Sequence, residues 1–286
     1  LEALLRLATA TEAAEEPVAV SPGKLSIAAL RRQLHEIGEE VLDSLAFLGG
    51  AVAACARALL PRSMTRWVDL RDSLYQAGPD ALPIITLTSV LVGMILAYLG
   101  AVQLKQFGAE VYVADLVAIG TLREMGALMT AVVMAGRTGA AYAAQLGTMQ
   151  GNEEVDAIVT LGLSPMELLV APRMIALMLT MPLLVSYADL LGIVGGGIVA
   201  GGMGISALQY LSQLESAFSF THAAVGLVKS LLFAFLIGLA GCRAGMGAGR
   251  NAAAVGRATT EAVVTAIVYL IVADAGMNIL CQQLGI

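Results

Sequence analysis

Residues 81–104 read ALPIITLTSVLVGMILAYLGAVQL, without a single Asp, Glu, Lys or Arg. As a helix rising 1.5 Å per residue, this stretch reaches about 36 Å, enough to cross a hydrocarbon layer roughly 30 Å thick. An uncharged run of that length is too long for an ordinary buried helix and reads as a membrane span. Four further apolar stretches follow, at 124–149, 166–203, 223–242 and 260–284. The whole chain has 286 residues, 58% of them apolar, only 13% charged, and a mean hydropathy of +0.82. A soluble domain carries about 25% charged residues. Half of the 38 charges fall in residues 1–80, so the remaining 206 positions are far too poor in charge to cover a water-facing surface. The fold class is therefore an all-α integral membrane protein with about five transmembrane helices. A soluble enzyme and a nucleic-acid binder are excluded, and a net charge of −6 offers nucleic acid no basic footprint.

Upstream of the quoted stretch the pattern changes. Residues 1–23 are small, acidic and proline-bearing and are expected to form a linker, with no basic-then-apolar signal peptide. Ile27, Leu30, Leu34, Ile37, Val41, Leu45 and Leu48 recur at three- and four-residue steps opposite Arg31, Arg32, Glu36, Glu39, Glu40 and Asp43. That spacing predicts an amphipathic helix lying in the interface plane. Residues 45–60 are apolar for only about 24 Å and contain Arg57, which predicts a separate re-entrant or shallow helix. Trp67 and Tyr75 among Arg62, Arg66 and Arg71 suit the headgroup level. The expected organisation is thus 1–23 linker, 24–80 interfacial and re-entrant helices, and 81–286 transmembrane core. Residues 166–203 exceed one perpendicular span, so a kink or break is expected at Pro172 or Pro182.

Six arginines (62, 66, 71, 243, 250 and 257) lie in the loops on one side of five spans, against Lys105 and Arg123 on the other. The positive-inside rule then puts the N-terminus in the cytoplasm and the C-terminus outside. Glycines four apart, as at Gly192 and Gly196 or Gly241 and Gly245, permit close helix approach, either within the chain or at a dimer seam.

Ionisable side chains at membrane depth cost on the order of 2.5–3.5 kcal/mol each on insertion, and so need partners or purposes. Arg123 and Glu124 stand where the 124–149 stretch meets the outer interface, where the pair can hold a lipid phosphate or else merely snorkel to water. Arg137 lies half-way along its span, with Asp189 or helix carbonyls as its expected partners in a structural role. Lys229 and Asp274 fall near outer ends, where snorkelling to water accounts for them. The 150–165 loop reads as a short helix, with Asn152 as N-cap, Glu153, Glu154 and Asp156 in the first turn, and Val155, Ile158, Val159 and Leu163 as its apolar stripe. Such a helix can dock on a motor subunit, and an ordinary loop helix has the same pattern. Cys55, Cys242 and Cys281 are scattered among apolar neighbours, the two histidines make no ligand spacing, and no phosphate-cradling loop occurs. No catalytic nucleophile with a base is present, and neither a metal nor a cofactor is expected.

At residues 122–173 the stretch LREMGALMTAVVMAGRTGAAYAAQLGTMQGNEEVDAIVTLGLSPMELLVAPR closely resembles the signature region of the MlaE/YrbE family of ABC-transporter permeases. The RE-G stretch at Arg123–Ala131, AGR-G-A-A with LGTM at Ala135–Met149, and the DA, GLSP and PR elements within Glu154–Arg173 carry the likeness. Lys229–Phe233 and Val255–Val264 extend it, and Ala127 departs from the family's usual proline. The resemblance implies a homodimer in the bacterial inner membrane that moves phospholipid to or from a periplasmic MCE-domain carrier of the MlaD kind, maintaining outer-membrane lipid asymmetry. It also implies a cytoplasmic ATPase of the MlaF kind, docked on Asn152, Glu153, Glu154, Asp156 and Ile158, with ATP hydrolysis supplied by that partner. A STAS-domain partner of the MlaB kind is implied as well, and residues 1–7 look like the end of such a domain. The lipid pathway is expected to comprise Arg123 and Glu124 at its mouth and Leu91, Met94 and Leu128 along its apolar wall. The rival expectation is an ion- or proton-coupled secondary transporter with Glu124, Arg137 and Asp189 as a relay.

Overall fold

A computed structural model of the chain describes residues 27–58 and 67–285, and the side chains of 42–58 and 68–285. The linker, the stretch at residues 1–7, the polar face of 31–40, Arg62 and Arg66 lie outside the described side chains. Among the described residues every regular element is a helix. Contacts divide the chain into a first unit ending at Ala46 and a second beginning at Phe47.

Helix α1, Ile27–Ala58, joins the two N-terminal elements that the sequence suggested were separate. Gly49 and Gly50 do not interrupt it; a helical glycine costs only about 1 kcal/mol. In the second unit Ala51 and Ala54 are fully buried and Phe47 and Cys55 pack on the core, while Val52 on the other face is exposed. Leu42 and Leu45, in the first unit, are exposed apolar side chains suited to lipid. Helix α2, Trp67–Ala77, follows.

Five helical segments are long and apolar enough to cross a membrane: Val68–Lys105, Glu110–Gly151, Met166–Gly202, Phe220–Met246 and Ala252–Leu284. They match the five apolar stretches of the sequence, so the chain is a multi-pass membrane protein. The first continues from α2 into α3, Leu82–Lys105. The second is segmented: α4, Val113–Gly120; a π-turn, Thr121–Met125; α5, Gly126–Met134; a second π-turn, Ala135–Gly139; and α6, Ala140–Gly151. Helix α7, Glu154–Thr160, is the short loop helix. The third span opens with a π-turn, Met166–Val170, and continues as α8, Ala171–Gly202. Pro172 stands in the first turn of α8, where an N–H has no intrahelical partner to lose, and Pro182 is accommodated inside the helix. The helix runs through both prolines without a break. Helix α9, Ala207–Ala217, begins with a capping box between Ser206 and Gln209, and α10, Phe220–Met246, and α11, Ala252–Leu284, complete the set.

Small residues set the helix spacing. A Cβ built on Gly93 of α3 would sit 1.9 Å from the carbonyl oxygen of Gly192 on α8, and one on Gly195 would sit 2.3 Å from that of Val90. The two backbones touch directly, as lipid-embedded helices do when packing replaces the hydrophobic drive. Gly241 and Gly245 likewise meet Gly139 and Ala143 of the second span. These glycines pack within the chain. The main core, with Ile85, Met134, Tyr142, Leu146, Met174, Leu177, Met181, Phe233, Ile237 and Leu270, lies among spans one to five. A smaller core around Ala97, Val113, Val117, Ala200 and Tyr210 joins α3 and α4 to the end of α8 and to α9. There the buried Tyr210 hydroxyl donates to the Ile193 carbonyl at 2.9 Å.

Candidate functional site

The π-turn Thr121–Met125 carries Arg123 and Glu124 on consecutive residues. A π-turn inserts an extra residue into a helix and marks functional positions more often than chance. Here it aims Glu124 at the fourth and fifth spans. Lys229 of α10 is fully buried, 0% exposed, and its ammonium donates to Glu124 Oε2 at 2.6 Å, Asp274 Oδ1 at 2.8 Å and Asn278 Oδ1 at 2.7 Å. A lysine has three N–H donors, and all three are used. The Asn278 amide returns the contact, donating to Glu124 Oε2 at 3.2 Å and Asp274 Oδ2 at 3.3 Å. Asp274 and Asn278 are four apart and share one face of α11.

Snorkelling therefore does not account for Lys229. It stands nine residues, about 14 Å, inside α10, and Asp274 stands ten residues, about 15 Å, from the end of α11. A bare ammonium there would carry the full cost of leaving water; two carboxylates and an amide offset it. Arg123 lies at the rim, with Nε 3.9 Å from Glu124 Oε1 and Nη1 3.5 Å from Nδ1 of His222. Two cations and two anions thus meet across three spans at one end of the bundle. The sequence reading found Arg123 and Glu124 and missed Lys229, Asp274, Asn278 and His222 as their partners. The available signal was the shared depth of the charges in otherwise apolar spans, together with the four-residue step from Asp274 to Asn278.

Arg137 is placed elsewhere. Its guanidinium donates to the carbonyl of Gln76 at 3.0 Å and lies 3.5 Å from Asp80, both at the start of the first span. The helix-carbonyl partner was expected; Asp189 as partner was not found. Asp189 is buried in α8, 6% exposed, and its Oδ1 has no hydrogen-bond partner.

At the opposite end, α7 differs from its expected form. Asn152 is not its N-cap: α6 runs to Gly151, Asn152 ends it, and Glu153 takes the capping place in a left-handed conformation (φ 60°) with no side-chain cap bond. Asn152 instead donates to Glu154 Oε1 at 3.2 Å. Arg250, in the loop before α11, takes two of the acids, Glu153 at 3.3 Å and Asp156 at 2.6 Å. Val155 is buried and Ile158 packs on the core, so Ile158 seats the helix rather than projecting from it. The exposed apolar side chains are Val159 and Leu161, the latter 75% exposed. Beneath α7 lies a cavity of about 330 Å³ bounded by Asp69, Gln76, Gln145, Ile158 and Arg173. Arg57 and Glu167 pair at 2.5 Å beside the π-turn that opens the third span. Of the expected pathway residues, Leu91 is exposed on α3, and Met94 and Leu128 are half-buried.

This arrangement, a saturated charge cluster toward one end of an apolar five-span bundle and a short helix clamped by arginine at the other, can now be set beside known proteins. Residues 70–280 match the family described as Permease MlaE. The chain belongs to the MlaE permease family. It is 36% identical over 262 residues to a probable ABC transporter permease protein of Rickettsia bellii, covering 90% of this chain and 95% of that one. A probable ABC transporter permease protein of Rickettsia typhi is 35% identical over 206 residues, 72% of this chain and 79% of its own length. The intermembrane phospholipid transport system permease protein MlaE of Haemophilus influenzae is 29% identical over 245 residues, 84% of this chain and 94% of its own. The MlaE match spans the Arg123–Glu124 turn, α7 and Lys229 with Asp274 and Asn278.

Proposed function

We propose that this chain is the membrane-spanning, non-catalytic subunit of an ATP-driven phospholipid transporter in a bacterial inner membrane, working as a homodimer. A cytoplasmic ATPase docks on α7, and a periplasmic MCE-domain protein exchanges lipid at the other face; a STAS-domain protein completes the cytoplasmic assembly. The N-terminus is cytoplasmic and the C-terminus periplasmic. Arg123, at the rim of the cluster, meets the lipid phosphate, and Leu91, Met94 and Leu128 contact acyl chains across the dimer.

The observation that carries this reading is the separation of the two polar sites. The Glu124–Lys229–Asp274–Asn278 network is internally satisfied, so it is a fixed electrostatic base on which Arg123 is presented, and α7 lies at the far end, where a motor can push on it. Arg250 ties α7 to the start of α11, and α11 carries Asp274 and Asn278, so movement of the short helix has a continuous mechanical route to the cluster. Arg137 pairs with Asp80, away from both Glu124 and Asp189, so the relay required of a proton-coupled secondary transporter lacks its central link.

The test is lipid photocrosslinking from positions 91, 94 and 128 in the complex extracted under mild conditions. Labelling well above exposed controls at Leu183 and Val272 is expected. Labelling no higher than those controls contradicts the pathway.

A further inference from the structure

Asp69, Asp72, Ser73 and Gln76 of α2 follow the i, i+3, i+4, i+7 step of a single helix face. An ordinary interfacial helix packs its apolar face and gives its polar face to water. In α2 the polar row is turned toward the protein and lines the cavity of about 330 Å³ beneath α7, while Val68 and Tyr75 are exposed. Across the cavity stands Arg173, near the start of α8. Its guanidinium is held in place, Nη1 donating to the Leu169 carbonyl at 2.7 Å and Nη2 to Gln145 Oε1 at 3.4 Å, with the Tyr142 ring 5.9 Å away. Gln145 donates in turn to Gln76 Oε1 at 3.0 Å. Among the described residues Asp72 pairs with its exposed neighbour Arg71 at 3.5 Å, and no ion pair joins Arg173 to Asp69 or Asp72.

The cavity thus keeps a cation on one wall and two carboxylates on another. Opposite charges held apart in this way accept a guest that carries both signs in reverse, an anion for Arg173 and a cation for the two acids. The remaining wall is apolar, with Met149, Ile158 and Leu168. Depth points to the source of the guest. The uncharged run of the first span opens at Ala81, so α2, just ahead of it, lies at the headgroup level, where an exposed tyrosine near Arg71 belongs. The volume is near the lower end for small-molecule sites, which suits a headgroup whose acyl chains stay in the bilayer.

We propose that this cavity binds the headgroup of a zwitterionic, ammonium-bearing phospholipid from the leaflet on the α7 side, with Arg173 on the phosphate and Asp69 and Asp72 on the ammonium. The two hydrogen bonds that fix Arg173 leave further guanidinium N–H groups for a phosphate. An acidic headgroup such as phosphatidylglycerol brings the phosphate without the cation and meets two carboxylates of like charge. Ile158 belongs to α7, so the bound headgroup also packs against the helix that the proposed motor engages. The site lies at the opposite end of the bundle from Arg123 and stands whether or not that end carries lipid.

The test is photocrosslinking from a photoreactive residue at position 168, with the purified protein and its copurifying ATPase in nanodiscs of equal phosphatidylethanolamine and phosphatidylglycerol. Position 183, exposed on α8, is the control. Position 168 should label phosphatidylethanolamine roughly tenfold over phosphatidylglycerol, as contacts to a charged group imply, and position 183 should label the two alike. Asp69→Asn with Asp72→Asn keeps the size of both side chains and should bring the ratio at 168 down to that at 183. Asp69→Lys with Asp72→Lys should turn the preference toward phosphatidylglycerol. Equal labelling of the two lipids at 168 in the parent overturns the inference, and so does a preference that survives the double asparagine change. Free glycerophosphoethanolamine, the same headgroup without chains, is added at the concentration of the lipid. Labelling should persist; its loss would assign the cavity to a soluble zwitterion and overturn the lipid inference. Photolabelling at position 128 is read in parallel: a preference at 168 without labelling at 128 counts against the lipid pathway alone, and labelling at 128 without a preference at 168 counts against this site alone.

Discussion

At the scale of single residues, Lys229 bears the greatest consequence. Its ammonium is fully buried and its three donors are taken by Glu124, Asp274 and Asn278. Lys229→Met removes the cation that Glu124 and Asp274 share, leaving Arg123 beside Glu124 alone, and breaking a buried pair in this way costs about 3–5 kcal/mol. Thermal unfolding of the purified protein should show a large fall for Lys229→Met. The triple change Lys229→Met with Glu124→Gln and Asp274→Asn should recover much of that loss, because it removes the uncompensated charges. A triple variant as unstable as the single one would mean that packing, not charge, dominates at this site. The sequence disclosed Arg123 and Glu124 because they stand together in a motif. It did not disclose Lys229, whose depth near a span end suits snorkelling equally well until α11 is known to cover it. Nor could it show that Arg137 bends to Asp80, since that pairing depends on α2 and α3 returning beside the second span.

At the scale of elements, hydropathy made the five spans legible, because an uncharged run of sufficient length has few other destinations. The π-turns were invisible to it, because the i→i+5 bond from the Gly126 N–H to the Thr121 carbonyl leaves no mark in hydropathy or local composition. The N-cap reading of Asn152 failed for a related reason, since α6 runs to Gly151 and leaves room only for a left-handed Glu153 before α7 starts. Arg250 then sets α7 in place. Its two ion pairs are exposed and contribute little stability, at most about 1 kcal/mol each. Arg250→Ala should leave the unfolding temperature nearly unchanged yet raise amide exchange across 152–161, and it should uncouple ATP hydrolysis from transport. Unchanged exchange there would show that Val155 and Ile158 alone hold the helix. In α9, burial pushes the Tyr210 phenol up to about 12 from its ordinary 10. The folded value exceeds the unfolded one, so this contribution to stability is complete below pH 10 and is lost as pH rises toward 12. Tyr210→Phe should flatten the alkaline limb of the stability profile in that window; an identical limb would assign it to other groups.

At the scale of the whole molecule, the scarcity of charge acquires a meaning. The bundle keeps most of its few embedded charges in two places. One is a balanced cluster reached from spans two, four and five, and the other is the Arg137–Asp80 pair where spans one and two meet. Another intramembrane acid, Asp189, stands against Gly126 behind the turn that presents the cluster. The glycines that could have formed a dimer seam, Gly192, Gly196, Gly241 and Gly245, are used to bring helices of one chain together. Exposed apolar faces, such as Leu87, Leu91 and Ile95 on α3, are left for lipid or for the second copy that the proposed homodimer requires. Membership of the MlaE family and the separation of cluster from α7 converge on one account, in which force applied at α7 reshapes a lipid path that ends at Arg123. The most direct measurement is lipid transfer from proteoliposomes containing this chain and its copurifying ATPase to an acceptor lipid carrier, with and without ATP, for the parent and for Arg123→Ala. The account predicts ATP-dependent phospholipid transfer that falls at least roughly tenfold in Arg123→Ala, as loss of one charge-assisted phosphate contact implies. Transfer indifferent to ATP, or undiminished in Arg123→Ala, would contradict it.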